Sequence, residues 1–212
     1  MLVALALGGC GGADDAPADG ELAAAAGRGD LEAVNDVLRR GADPDDRGAG
    51  GRTAVTAAAY AGAASAVRAL VDAGADVNLQ DESRANPLLA VGETGDVEVL
   101  REVLRADPDL TRTNRFGGTA LIPAADRGHV EMVRELLRTD IDVDHVNDLG
   151  WTALLEAVIL GDGGRRHQEI VRLLLEAGAS VDLADRDGVT PLEHARRAGH
   201  GELEALLAAA AG

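Results

Sequence analysis

Apolar residues along the chain come in triplets with helical spacing. Val34/Val37/Leu38, Val67/Leu70/Val71, Leu100/Val103/Leu104, Val133/Leu136/Leu137 and Val171/Leu174/Leu175 each occupy positions i, i+3 and i+4, one stripe of an amphipathic helix. The first four triplets start 33 residues apart and the fifth starts 38 residues further on. A segment rich in small residues precedes most of them, with Ala25-Ala26, Ala58-Ala59 and Ala124-Ala125 permitting close helix approach. The pattern predicts pairs of short helices. In the second pair these are Ala54 to Ala61, broken by Gly62, and Ala64 to Ala73, ended by Gly74 in the left-handed conformation. One pair has too little apolar surface to fold alone, so the pairs must stack.

The turn signals keep the same beat. Thr53, Asn86, Thr119 and Thr152 lie 33 residues apart and Thr190 follows after 38. Thr and Asn side chains accept from the exposed N–H groups of a helix start, so each predicts an N-cap. Pro87 and Pro191 follow two of them, at the first helical position, where the missing N–H costs nothing.

The phrases Gly188-Val-Thr-Pro-Leu192, Gly128-His-Val-Glu-Met-Val133 and Gly74-Ala-Asp-Val-Asn78 resemble the ankyrin repeat, and the resemblance covers residues 21–212. It implies an all-α solenoid of about six stacked helix-turn-helix units with short β-turn fingers. The repeats fall at approximately 21–45, 46–78, 79–111, 112–144, 145–182 and 183–212. It further implies a non-catalytic protein-binding module whose concave side is built from the fingers and first helices. The first repeat lacks its finger and reads as an N-terminal cap. Glu204, which takes the place of Val133, reads as the polar outer face of a C-terminal cap. Arg84 replaces a finger glycine and Asp107-Pro108 a helix-ending glycine, so less regular termini are expected there. The five extra residues of the fifth repeat are placed in Gly161-Asp-Gly-Gly-Arg-Arg-His167, read as a mobile loop carrying Arg165 and Arg166. That pair is either a docking spot or a solvated loop.

Composition narrows the partners. The chain has 212 residues, 46% hydrophobic but only 1% aromatic, so Ala, Val and Leu must fill the core. Its formal net charge is −17. Binding to nucleic acid rests on neutralising phosphates, so this charge argues against it, and equally against adsorption to anionic lipid. The field favours a basic protein partner. All 20 basic residues are arginine, a coding bias rather than a functional signal. A monomer is expected.

Little in the chain suggests chemistry. No Ser lies in a Gly-x-Ser-x-Gly elbow, and with no Lys there is no phosphate-binding loop of the Gly-Lys type. Of five histidines, His129 and His200 hold a position where the resemblance implies a bond to the backbone of a neighbouring loop. His145, His167 and His194 are scattered without metal-ligand spacing. No enzyme, cofactor or metal site is expected. The three aromatics, Tyr60, Phe116 and Trp151, lie outside the core triplets. By resemblance they fall on the finger side, with Arg115, Arg127 and Arg186 at comparable positions. Aromatics and Arg are common interface hot spots, so these six are the candidate partner-binding residues. For Phe116 and Trp151, stacking between fingers stands equally open.

The N-terminus carries a separate signal. Leu2 to Leu7 form an apolar run, and Leu7-Gly-Gly-Cys10 resembles a bacterial lipoprotein cleavage box in which the Cys becomes lipidated. Residues 1–10 are read as such a signal, truncated by a start codon placed too far downstream, and 11–20 as a flexible tether. The expected location is then the outer face of the cell membrane, with membrane contact only through lipid on Cys10. The alternative is a cytoplasmic regulatory or inhibitory subunit.

Overall fold

The computed structural model describes residues 16–211; Cys10 and the signal-like segment lie outside them. The described residues form twelve α-helices in six antiparallel pairs. These are α1 (Glu21–Gly27) with α2 (Leu31–Arg39), α3 (Ala54–Tyr60) with α4 (Ala64–Asp72), and α5 (Pro87–Thr94) with α6 (Val97–Leu104). The series continues with α7 (Leu121–Asp126) and α8 (Val130–Leu136), α9 (Ala153–Ile159) and α10 (Arg165–Glu176), and α11 (Pro191–Ala198) and α12 (Gly201–Ala210). No strand occurs among the described residues; one isolated bridge pairs Arg47 with Thr53. None of these helices is long and apolar enough to cross a membrane. Odd-numbered helices pack on the next odd-numbered helix and even on even, giving two layers with the fingers at the edge of the first.

The first two residues of each predicted triplet are core, and the third, Leu38, Val71, Leu104, Leu137 or Leu175, packs against it partly buried. Val34, Val37, Val67, Leu70, Leu100, Val103, Val133, Leu136, Val171 and Leu174 are all buried, together with the Ala pairs of α1, α3 and α7. Close approach reaches its limit at Gly92 within α5. A Cβ there would sit 2.5 Å from the carbonyl oxygen of Ala120 in the following repeat. On the even-helix side an Arg–Glu ladder crosses the repeats. Arg68 pairs with Glu102, Arg101 with Glu135 at 3.1 Å, and Arg134 with Glu169 at 3.1 Å. Arg68 first, then Arg105, hold the Glu102 carboxyl down to about 2.

Four of the five predicted caps form: Thr53, Asn86, Thr152 and Thr190 accept from the N–H groups of Thr56, Leu89, Leu155 and Glu193. Thr119 does not cap. In the other repeats the carbonyl of the cap residue receives the N–H four residues on, as in Glu156 N–H to Thr152. In the fourth repeat that residue is Pro123, which has no N–H. The Thr119 carbonyl takes the Ile122 N–H instead, at 3.2 Å, and α7 starts one residue late. The buried Thr119 hydroxyl is left without a partner.

Two further expectations are corrected. The third repeat is not irregular: Arg84 (φ 61°) and Asp107 (φ 50°) adopt the left-handed backbone that glycines supply elsewhere. Stacking on both sides fixes the geometry, and the residues absorb a strain of about 1–2 kcal/mol each. Arg165 and Arg166 are not in a loop. They open α10, which at 12 residues is longer than α8 with 7. The extra residues are thus shared between a short turn and an added helical turn. The turn is tied down rather than loose, since Asp162 Oδ1 accepts from Gly164 N–H at 2.8 Å and pairs with His167 Nδ1 at 2.9 Å.

Candidate functional site

The fingers are built from one repeated device. Asp81, Asn114, Asn147 and Asp185 each accept, through Oδ1, the N–H of the residue two positions on and of the residue four positions on. A local side-chain loop of this kind replaces a ladder bond and holds a tight turn. Each finger then braces its neighbour. Gln80 donates to the Thr113 carbonyl at 2.8 Å, His145 to that of Gly117 at 2.7 Å, and Arg186 to that of Asp148. The finger tips are therefore held in a fixed row.

Three of the five large apolar side chains exposed among the described residues, Phe116, Val146 and Leu149, sit in this row; Leu160 follows α9 and Leu31 opens α2. Phe116 is 54% exposed and Leu149, at the same position one repeat later, 51%. Val146 in the same finger is 48% exposed and Leu160, at the end of α9, 50%. The tips facing other repeats carry Ser83 and Asp187 at this position. Apolar exposure of this kind is thus concentrated in repeats four and five, and clustered exposed apolar groups mark interaction surfaces.

Two hollows lie between the fingers and the odd-numbered helices, and Phe116 separates them. The first, of about 340 Å³, is lined by Arg52, Tyr60, Leu89, Glu93, Arg115 and Phe116. Arg52 lies over the Tyr60 ring at 4.7 Å and Arg115 over Phe116 at 4.9 Å, each a cation–π contact. Burial, then the Glu93 charge, push the Tyr60 hydroxyl up from its ordinary range, with Arg52 opposing. The second hollow, of about 230 Å³, has Phe116, Leu149, Ile122 and Pro123 as walls and Glu93, Asp126 and Glu156 as its acids, with Arg127 at its edge. Glu156 is only 7% exposed and accepts one side-chain bond, from Asn147 Nδ2 at 2.7 Å. Burial first, then the Asp126 charge, push its carboxyl up to about 7, against the pull of Asn147. Wider depressions of about 560 and 630 Å³ lie on the even-helix side, lined by charged groups such as Glu32, Arg39, Arg68 and Asp72. They are broad and mix charged groups with apolar ones, Leu38 in the first and Leu31, Ala69 and Ala73 in the second.

Of the six candidates, the structure brings Tyr60, Arg115 and Phe116 together at the first hollow and places Phe116 and Arg127 at the second. Trp151 is half-buried, its N–H held by Asn147 Oδ1 at 3.0 Å, and it lines neither hollow. Arg186 is engaged in bracing: its stem covers Gly150 and its head bonds the Asp148 carbonyl. Leu149, Leu160 and Glu156 escaped the sequence reading. Leu149 was findable as the residue 33 positions after Phe116, and Glu156 as the lone charge in the apolar run Ala153–Ile159.

Three histidines, His129, His145 and His167, brace the backbone, whereas the buried His200 Nδ1 has no partner and the bond expected of His200 is not formed among the described residues. His129 bonds the Glu93 carbonyl at 3.1 Å and His167 that of Asp126 at 2.9 Å. His167, not a loop residue, thus does in the fifth repeat what His129 does in the fourth. His194 pairs with Asp185 at 2.7 Å. Among the described residues no three His, Cys, Asp or Glu side chains are placed to hold a metal ion.

These features meet in one family. The family model described as Ankyrin repeats (3 copies) matches residues 22–107 and 88–185, and the chain belongs to the ankyrin repeat family. The chain is 48% identical to an ankyrin repeat domain from Acinetobacter baumannii AYE. That crystal structure superposes with a TM-score of 0.87 over 92% of this chain and 99% of the other. It also resembles the human ASB11 ankyrin repeat domain at 26% identity and a TM-score of 0.77, over 90% of this chain and 83% of that one. A 55-residue stretch is 56% identical to the putative ankyrin repeat protein YahD of Escherichia coli (strain K12), covering 26% of this chain and 27% of YahD. Ankyrin repeats indicate a protein–protein interaction module, and the family is generally non-catalytic.

Proposed function

We propose that the protein captures a protein partner on the face made by its fingers and odd-numbered helices, centred on repeats four and five. The observation that carries this reading is the pairing of Phe116 and Leu149, exposed at the same finger position in consecutive repeats beside two preformed hollows. A braced finger row loses little entropy on binding, which favours affinity. The net charge of −17 favours a basic partner. Replacing Tyr60, Phe116 and Leu149 together by Ala tests it. Partner capture should fall by more than tenfold, since a buried aromatic anchor is typically worth about 2 kcal/mol or more, while far-UV circular dichroism is unchanged. Undiminished capture by the folded triple variant would refute the proposal.

The cleavage-box resemblance of Leu7 to Cys10 supports a second proposal, that the module is held at a membrane by lipid on Cys10. Mass spectrometry of the protein from its own cell tests this directly. A diacylglyceryl-modified Cys10 at the mature N-terminus supports the tether, and an intact, unmodified N-terminus removes it.

A further inference from the structure

We propose that the hollow between the fourth and fifth fingers is a socket for a single arginine or lysine side chain of the partner, flanked there by apolar residues. The proposal rests on the finger face being the binding side. The other buried carboxylates among the described residues, Asp81 and Glu102, each meet a cation. Asp81 receives Arg52 at 3.1 Å, and Glu102 receives Arg105 at 2.8 Å as well as Arg68. Glu156 is buried to the same degree and meets only the Asn147 amide. An uncompensated buried carboxylate is costly, and Asp126 and Glu93 on the same hollow add to the negative potential.

The walls fit the rest of such a side chain. Phe116, Leu149, Ile122 and Pro123 line the same hollow as the acids, and long cationic side chains bury their stems against apolar surface while the head seeks charge. A volume of about 230 Å³ admits one long side chain and not a packed helix. Arg127 also lines the hollow, is exposed, and forms no ion pair with Glu156. The apolar lining beside the acids suits a cation that carries its own apolar stem.

The test uses the full-length protein at about pH 8, where Glu156 is ionised, and two peptides: Ac-Ala-Leu-Arg-Leu-Ala-NH₂ and the same peptide with neutral citrulline for arginine. Binding is read from protein amide NMR shifts. The arginine peptide should bind at least about tenfold more tightly than the citrulline peptide, moving the amides of Phe116, Leu149 and Asn147. Glu156→Gln should remove most of that difference, and Glu32→Gln on the even-helix side should not, as expected for a desolvated charge pair. Equal binding of the two peptides at Phe116 and Leu149 would overturn the socket while leaving the finger face as the binding side. Shifts confined to the even-numbered helices would overturn both. No shift with millimolar arginine peptide overturns the socket.

Discussion

Replacing Glu156 by Gln should stabilise the protein by an amount that grows as pH rises from about 4.5 and levels off above about 7. The Gln side chain can still accept the Asn147 amide that reaches Glu156 Oε1 at 2.7 Å, so the change removes the charge and keeps the bond. Burial and Asp126 raise the Glu156 carboxyl from 4.5 to about 7, a difference of about 2.5 units. At about 1.4 kcal/mol per unit this makes the ionised group unfavourable by roughly 3 kcal/mol in the folded state. The sign follows from linkage. With a folded-state value above the unfolded one, the native state binds the proton more tightly, so stability is greatest below 4.5 and declines as pH rises through 7. Glu156→Gln should therefore match the parent near pH 4 and exceed it by roughly 3 kcal/mol near pH 8.5. For a chain of this size that is a rise of about 6–12 °C in Tm. Urea and thermal unfolding followed by circular dichroism, with parent and variant paired at each pH, measure the difference. A variant equal to or weaker than the parent at pH 8.5, or a gap that does not change with pH, would refute the reasoning.

Gly92→Ala gains helix propensity but drives its Cβ to 2.5 Å from the Ala120 carbonyl; a net loss of about 2 kcal/mol, seen as a lower urea midpoint, is expected. His167→Ala removes the donor to the Asp126 carbonyl and the partner of Asp162. It should cost about 1–3 kcal/mol and speed amide exchange at Gly164, whose N–H Asp162 holds; unchanged exchange would show that the turn is not braced by the ring.

The solenoid was legible because its core is periodic: a triplet every 33 residues names the buried face without reference to any neighbour. What the period could not show came from contacts between repeats. Thr119 carries the cap residue but Pro123 removes the N–H on which the capped geometry depends. Arg84 and Asp107 look like irregularities, yet packing from both sides imposes the left-handed turn on them. Arg165 and Arg166 follow three glycines and read as loop, but His167 anchors them as the start of α10 by reaching back to Asp126. On the finger face Phe116 stood out because aromatics are scarce. Leu149 did not, since leucine is common and exposure is not written in sequence. Glu156 is marked in sequence only as the lone charge in the apolar run of α9, and its burial beneath the finger residue Asn147 is seen in the fold.

Site-specific photocrosslinking in the native host tests most directly which face binds. Benzoylphenylalanine is placed in the full-length protein at position 116 or 149, and as a control at exposed position 65 on the even-helix side. A binding site on the finger face predicts a discrete covalent partner from 116 and 149 and none from 65. A partner trapped from 65 but from neither finger position would contradict it.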